Sequence, residues 1–173
     1  MNSLPPHNTG SPIEDRPVTL VPARPEEADI LGDLAIRSKA FWGYDQAFLA
    51  ACREELTVES DAIDSPENHY AVARIGKIIA GFYALAQLRD KQWELDALFV
   101  DPPFIGRGIG SRLLAHAVET AVAAGGRSIR VQSDPWAETF YRRAGAIPVG
   151  FEPSGSIPGR ILPVLELVPV GSA

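Results

Sequence analysis

The sequence predicts an α+β domain, sandwich-like in section, in which a mixed and mostly antiparallel sheet is flanked by helices in the order βααβββαβαββ. Three observations carry that prediction. Apolar residues change from helical to extended spacing at His69, which opens a run of strands. Gly76-Lys77 makes a tight turn between two of those strands, so they pair as an antiparallel hairpin. The stretch 98–114 ends a strand at Asp101-Pro102-Pro103, passes through a loop punctuated by Gly106, Gly108 and Gly110, and starts a helix at once.

Taken in order, residues 1–16 carry Pro5-Pro6 and Thr9-Gly10-Ser11-Pro12 without a periodic apolar pattern, and are expected to be a disordered tail before a domain spanning 17–173. Residues 18–21 form a first strand. Pro25 suits the first position of a helix whose start is complemented by Glu26, Glu27 and Asp29, and Ile30, Leu31, Leu34 and Ala35 give its apolar stripe. That helix fades near Phe41-Trp42-Gly43. Asp45 caps a second, with Phe48, Leu49, Cys52 and Leu56 on one face, and the exposed side of the pair carries Lys39, Arg53 and Glu54. Residues 70–75, 78–88 and 93–100 make an antiparallel meander, its second turn at 87–91. The helix over 109–124 puts Ile109, Leu113, Leu114, Ala117, Val118 and Ala121 on one face, and Gly125-Gly126 stops it. The strand 128–132 follows, so this helix is a crossover between two parallel neighbours. Asp134-Pro135 opens a last helix through Ala137, Phe140, Tyr141 and Ala144, closed by Gly145. The strands 147–151 and 161–168, joined by a loop over 153–160, complete the chain.

Composition narrows the function. A chain of 173 residues is expected to be one domain with a proper core. Its net charge of −6 argues against a nucleic-acid partner, which needs a basic face. No apolar run approaches the ~18 residues of a membrane span, and residues 1–16 lack the apolar core of a signal peptide. One cysteine, Cys52, cannot form an internal disulfide, so a cytoplasmic protein is expected. His7, His69 and His116 are isolated and no Cys/His cluster has ligand spacing, so no metal site is expected.

The glycine loop favours an anion. Glycines clear side chains from the backbone, and the first helical turn offers N–H groups without an intrahelical partner at the positive end of the helix dipole. Arg107 and Arg112 add positive charge. A dinucleotide fingerprint fails, because after Gly106 and Gly108 the third glycine position holds Ser111.

Element order and motif together resemble the GNAT superfamily of acyl-CoA-dependent N-acetyltransferases. The family's Gln/Arg-x-x-Gly-x-Gly/Ala loop stands here as Ile105-Gly106-Arg107-Gly108-Ile109-Gly110, and its Asn-x-x-Ala-x-x-Phe-Tyr segment as Asp134-Pro-Trp-Ala137-Glu-Thr-Phe140-Tyr141. Ile105 and Asp134 depart from the pattern, and each removes one polar contribution to the cofactor site. The resemblance implies the GNAT fold, acetyl-CoA as co-substrate without a metal, and transfer of the acetyl group to a primary amine of a small-molecule or peptide acceptor by direct attack in a ternary complex. The alternative is a non-catalytic acyl-CoA-binding or regulatory module on the same fold. A homodimer is a family expectation.

The resemblance further implies that the pantetheine arm lies between the strands 93–100 and 128–132, along Leu98, Phe99 and Val100. The diphosphate would lie on Ile105, Gly106, Arg107, Gly108, Ile109, Gly110 and Ser111, with Asp134 and Tyr141 also touching the cofactor. Tyr141 matches the tyrosine that protonates the departing thiolate; a plain core aromatic is the alternative. Glu94 matches a position where some members carry a catalytic glutamate, and its spacing of two from Asp96 puts both carboxylates on one strand face. A solvated strand face is the alternative, and Asp96 is otherwise an orienting or substrate-charge partner. Phe41, Trp42, Tyr44 and Glu94 are the candidate acceptor contacts, with core packing the alternative for the aromatic turn. Ser154-Gly155-Ser156 is a lid over that pocket or a hairpin loop.

Overall fold

A computed structural model describes residues 16–169; the expected tail, Arg16 apart, lies outside the described residues. Seven strands, β1 (Val18–Pro22), β2 (Asn68–Ile75), β3 (Ile78–Gln87), β4 (Gln92–Val100), β5 (Ser128–Gln132), β6 (Ile147–Pro153) and β7 (Ile161–Leu167), form one sheet in the order β1-β2-β3-β4-β5-β7-β6. Every neighbouring pair is antiparallel except β4 with β5. That exception follows from the crossover helix α5 (Ile109–Ala123) between them. The hairpin turn falls where expected, with Ile75 opposite Ile78 and Gly76 at φ +62°.

Helices cover both faces. On one, α5 buries Ile109, Leu113, Leu114 and Ala117 against Tyr83, Trp93, Ile129 and Leu165. On the other, α1 (Ala28–Ala40) buries Leu31, Leu34 and Ala35 against Val72 and Phe82. Two buried layers against one sheet are the packing that a domain of this size needs. The α5 stop is a Schellman turn: Gly125 sits at φ +81° and the Gly126 N–H donates to Ala121 O at 2.8 Å.

Three local expectations change. The single helix after Asp45 is instead α2 (Gln46–Ala51), α3 (Arg53–Leu56) and a further short α4 (Ser60–Asp64). Asp45 does cap α2, accepting from the Phe48 N–H at 2.8 Å, and Cys52, fully buried, is the joint at which α2 gives way to α3. The last helix, α6 (Glu138–Arg143), starts later than Asp134-Pro135, because the Asp134 carboxylate first accepts from the Trp136 N–H at 3.2 Å and holds a turn there. Lys39, expected on the exposed side of the first helices, has a side chain only 12% exposed and faces the cleft described below.

Candidate active site in the gap between strands four and five

β4 and β5 pair over only three positions, Gln92 with Ser128, Trp93 with Ile129 and Glu94 with Arg130. Beyond them β4 stays with β3 as far as Val100, and β5 stays with β7 through Gln132. The strands therefore part, and their facing backbone edges run on without each other. A β-bulge bends β4 at that point: the register to β3 passes from Leu95–Leu85 to Ala97–Ala84 and leaves Asp96 without an opposite residue. The slip also explains why Trp93 and Leu95 and then Leu98 and Val100 pack towards α5, an odd set followed by an even one.

The gap opens into a cleft of about 440 Å³ lined from both faces of the sheet. Phe104, Ile109, Phe140 and Tyr141 line it on the α5 side, and Lys39, Trp42 and Glu55 on the α1 side. Of the residues expected to touch the cofactor, Leu98, Phe99, Val100, Ile105, Gly106, Gly108, Ile109, Gly110, Ser111, Asp134 and Tyr141 all line the cleft. The loop has the form an anion requires. Gly106 and Gly108 have φ of +83° and +74°, which β-carbons disfavour, and no atom lies within 4 Å of where a β-carbon would stand on either. The first helical bond from this turn is Arg112 N–H to Gly108 O at 3.1 Å, leaving the N–H groups of residues 109–111 without an intrahelical partner. Arg112 donates to Val18 O at 3.0 Å, and Arg107 lies over the Phe104 ring, 5.5 Å from its centroid, outside the cleft lining.

The two acidic candidates separate. Arg130 grips Glu94 on β4 and Glu152 on β6 together, closing the sheet just below the fork, and Glu94 is not among the cleft-lining residues. Asp96 lines the cleft and is itself open to solvent there, yet desolvation by the cleft walls first and the charge of Glu94 second push its carboxyl up to about 6. Tyr141 is 7% exposed, edge-on to Phe140, and its hydroxyl has no hydrogen-bond partner among the described residues. Burial, with the charge of Asp134 second, pushes its pKa well up, so the phenol keeps its proton.

On the α1 side, one member of the aromatic turn, Trp42, is among the cleft-lining residues, and Phe41 and Tyr44 are not. Phe41 lies edge-on to Trp42 at 5.3 Å and is half exposed. Tyr44 stacks on Phe48 at 4.1 Å and donates to Asp134, its hydroxyl 2.8 Å from each carboxylate oxygen. The Asp134 carboxylate is thereby drawn to the α1 side, together with Arg160 at 3.4 Å and Lys39 at 3.8 Å. Ser154 and Ser156 line the cleft, and Ser156 Oγ lies 3.5 Å from Cys52 Sγ. Lys39, Trp136 and Arg160 were missed in the sequence as site residues. Trp136 stands inside the quoted Asp134–Tyr141 motif, and Arg160 closes an otherwise neutral loop.

Among the described residues no group of three or more His, Cys, Asp or Glu is placed to hold a metal, and no helix is long and apolar enough to cross a membrane. Residues 35–146 match the acetyltransferase (GNAT) family. The chain is 32% identical over 143 residues to the N-alpha-acetyltransferase RimI of Mycobacterium tuberculosis (strain ATCC 25618 / H37Rv), covering 79% of this chain and 83% of that one. Among solved structures it superposes on the PaiA N-acetyltransferase of Thermoplasma acidophilum in complex with coenzyme A, with TM-score 0.73, 18% identity and coverage of 88% and 99%. An aminoglycoside 6'-N-acetyltransferase complexed with coenzyme A matches with TM-score 0.63, 19% identity and coverage of 87% and 96%. With the family match over residues 35–146 and the 32% identity to RimI, the chain belongs to the acetyltransferase (GNAT) family and is an acetyl-CoA-dependent N-acetyltransferase.

Proposed function

We propose that the protein acetylates the primary amine of a small-molecule or peptide acceptor by direct attack in a ternary complex, and that the cleft through the forked sheet is where the two substrates meet. The observation that carries this reading is the lining from both sheet faces, which lets the cofactor and the acceptor approach one point from opposite sides. The cradle at residues 106–111 would hold the diphosphate, and the unpaired edge of β4 at Leu98, Phe99 and Val100 would pair with the pantetheine arm as an added strand does.

Asp96, rather than the ion-paired Glu94, takes one proton from the acceptor's ammonium, directly or through a water, and passes it to solvent. The free amine attacks the thioester carbonyl carbon. The Leu98 N–H faces the carbonyl oxygen as that oxygen gains charge. The carbon–sulfur bond then breaks, and Tyr141 gives its hydroxyl proton to the sulfur; the second proton of the former ammonium restores Tyr141. The products are the N-acetylated amine, free coenzyme A thiol and one released proton. RimI is named as an N-alpha-acetyltransferase, which favours an α-amino group as the acceptor.

The test mixes purified protein, acetyl-CoA and a panel of amines, following free thiol and the mass of the product. Amine-dependent thiol release with a matching N-acetyl product is expected. Tight coenzyme A binding without amine-dependent release would refute it.

A further inference from the structure

On the acceptor side of the cleft two cations close on the single carboxylate of Asp134, with Glu55 and Asp96 elsewhere in the lining. Lys39 comes from the last turn of α1 and Arg160 from the loop before β7, 12% and 18% exposed respectively, and both close on Asp134. Arg160 Nη2 donates to Tyr44 Oη at 2.7 Å and reaches Asp134 at 3.4 Å. The Lys39 ammonium is 3.8 Å from Asp134, too far for a hydrogen bond, and makes none among the described residues. Both cations lie over the stacked rings of Tyr44 and Phe48, at 4.9 to 5.9 Å from the centroids. Burial, and then the bond to Asp134, push Tyr44 up to about 12, so it adds no negative charge. Glu55 and Asp96 also line the cleft, but neither forms an ion pair with these cations.

Asp134 neutralises only one of the two cations that close on it, and the Lys39 ammonium, with unused donors facing the cleft, is placed to supply charge-assisted hydrogen bonds to a ligand's anion. Beside it Trp42 and Trp136 stand nearly parallel, 13° apart in plane with centroids 6.5 Å apart, both lining the cleft and both exposed. They provide apolar, flat surface at its mouth.

We propose that Lys39 and Arg160 bind a carboxylate on the acceptor, so that the acceptor is a small amino acid-type amine, with Trp42 and Trp136 taking its apolar or aromatic portion. This deepens the acetyl-transfer reading and rests on it for the assignment of the acceptor side. The carboxylate is read at the Lys39–Arg160 end while the amine lies towards Asp96, and one molecule spans the two.

The test is an equilibrium titration that needs no turnover. With coenzyme A present, the intrinsic tryptophan fluorescence, to which Trp42 and Trp136 at the cleft and Trp93 in the core contribute, is followed as N-acetylphenylalanine or its amide, N-acetylphenylalaninamide, is added. The acid should bind about 10- to 100-fold more tightly than the amide, as expected for charge-assisted hydrogen bonds. In Lys39→Met and in Arg160→Gln the ratio should fall towards one, and Arg160→Lys should keep part of it. Because the ratio is taken within one protein, general damage to the fold does not imitate the result. Equal binding of acid and amide, binding of neither at millimolar concentration, or a preference that survives both substitutions overturns the proposal. So does a tripeptide amide that binds as well as the acid. Loss of acetyl transfer with the acid preference intact would instead count against the transfer reading alone.

Discussion

Replacing Asp96 with Asn should remove the acid limb of the pH–rate profile. Desolvation by the cleft walls and the neighbouring Glu94 hold the Asp96 carboxyl up to about 6 from an ordinary value of 3.8. A base of that pKa is about 90% ionised at pH 7 and about 10% at pH 5, so kcat/KM should fall about tenfold between those two values. In Asp96→Asn the fall should vanish and the plateau should drop by about 10²-fold or more, the ordinary worth of a positioned base. Titration of the acceptor's own amine would also give a limb, and Glu94→Gln separates the two. Removing the neighbouring charge lowers the Asp96 pKa and moves that limb to lower pH, whereas an amine in solution does not respond. The same shift fixes a stability signature. A carboxyl whose folded pKa lies above its unfolded value stabilises the fold below about 4 and loses that contribution as pH rises through about 6. Because the residue is open to solvent, screening reduces the effect, so Asp96→Asn should raise Tm only slightly at pH 7.5 and leave it unchanged near pH 3. A variant that keeps both the limb and more than about a third of the rate would refute Asp96 as the base.

Three further outcomes follow from the same geometry. Tyr141→Phe should lower kcat by about 10²-fold while coenzyme A affinity, measured by calorimetry, stays unchanged, since only the acid is removed. Gly108→Val places a β-branched residue at φ +74° and should raise the KM for acetyl-CoA by about tenfold with little change in kcat. Gly81→Ala puts a β-carbon 2.7 Å from Phe99 O and 3.0 Å from Leu113 Cδ1, and urea denaturation should show a loss of about 1–3 kcal/mol.

The sequence made the centre of the fold legible because its signals there are local. Gly76-Lys77, the glycines after Pro103 and the Gly125-Gly126 stop each act on their own few residues, and strand, crossover and strand follow from them. The helices after Asp45 were harder. Phe48, Cys52 and Leu56 have the spacing of one helix and keep its i→i+4 bonds, yet the chain divides at Cys52 into two short helices, a break that the spacing does not record. The bulge at Asp96 left a trace, since the residues facing α5 change from odd to even between Leu95 and Leu98. That trace separates Asp96 from Glu94 only once Arg130, 36 residues on, is known to lie beside Glu94. The cations Lys39 and Arg160 meet Asp134 across three distant segments, and no periodicity within any one of them records that meeting. The cradle was local and the acceptor side is tertiary, which is why the cofactor was readable first.

The most direct measurement is a crystal structure with acetyl-CoA bound. The proposed chemistry requires the thioester at the fork of β4 and β5, with its carbonyl oxygen about 3 Å from the Leu98 N–H, its sulfur within reach of the Tyr141 hydroxyl and its carbonyl carbon open to the Asp96 side. A thioester held away from the fork, or one that places Glu94 rather than Asp96 beside the carbonyl carbon, would contradict it.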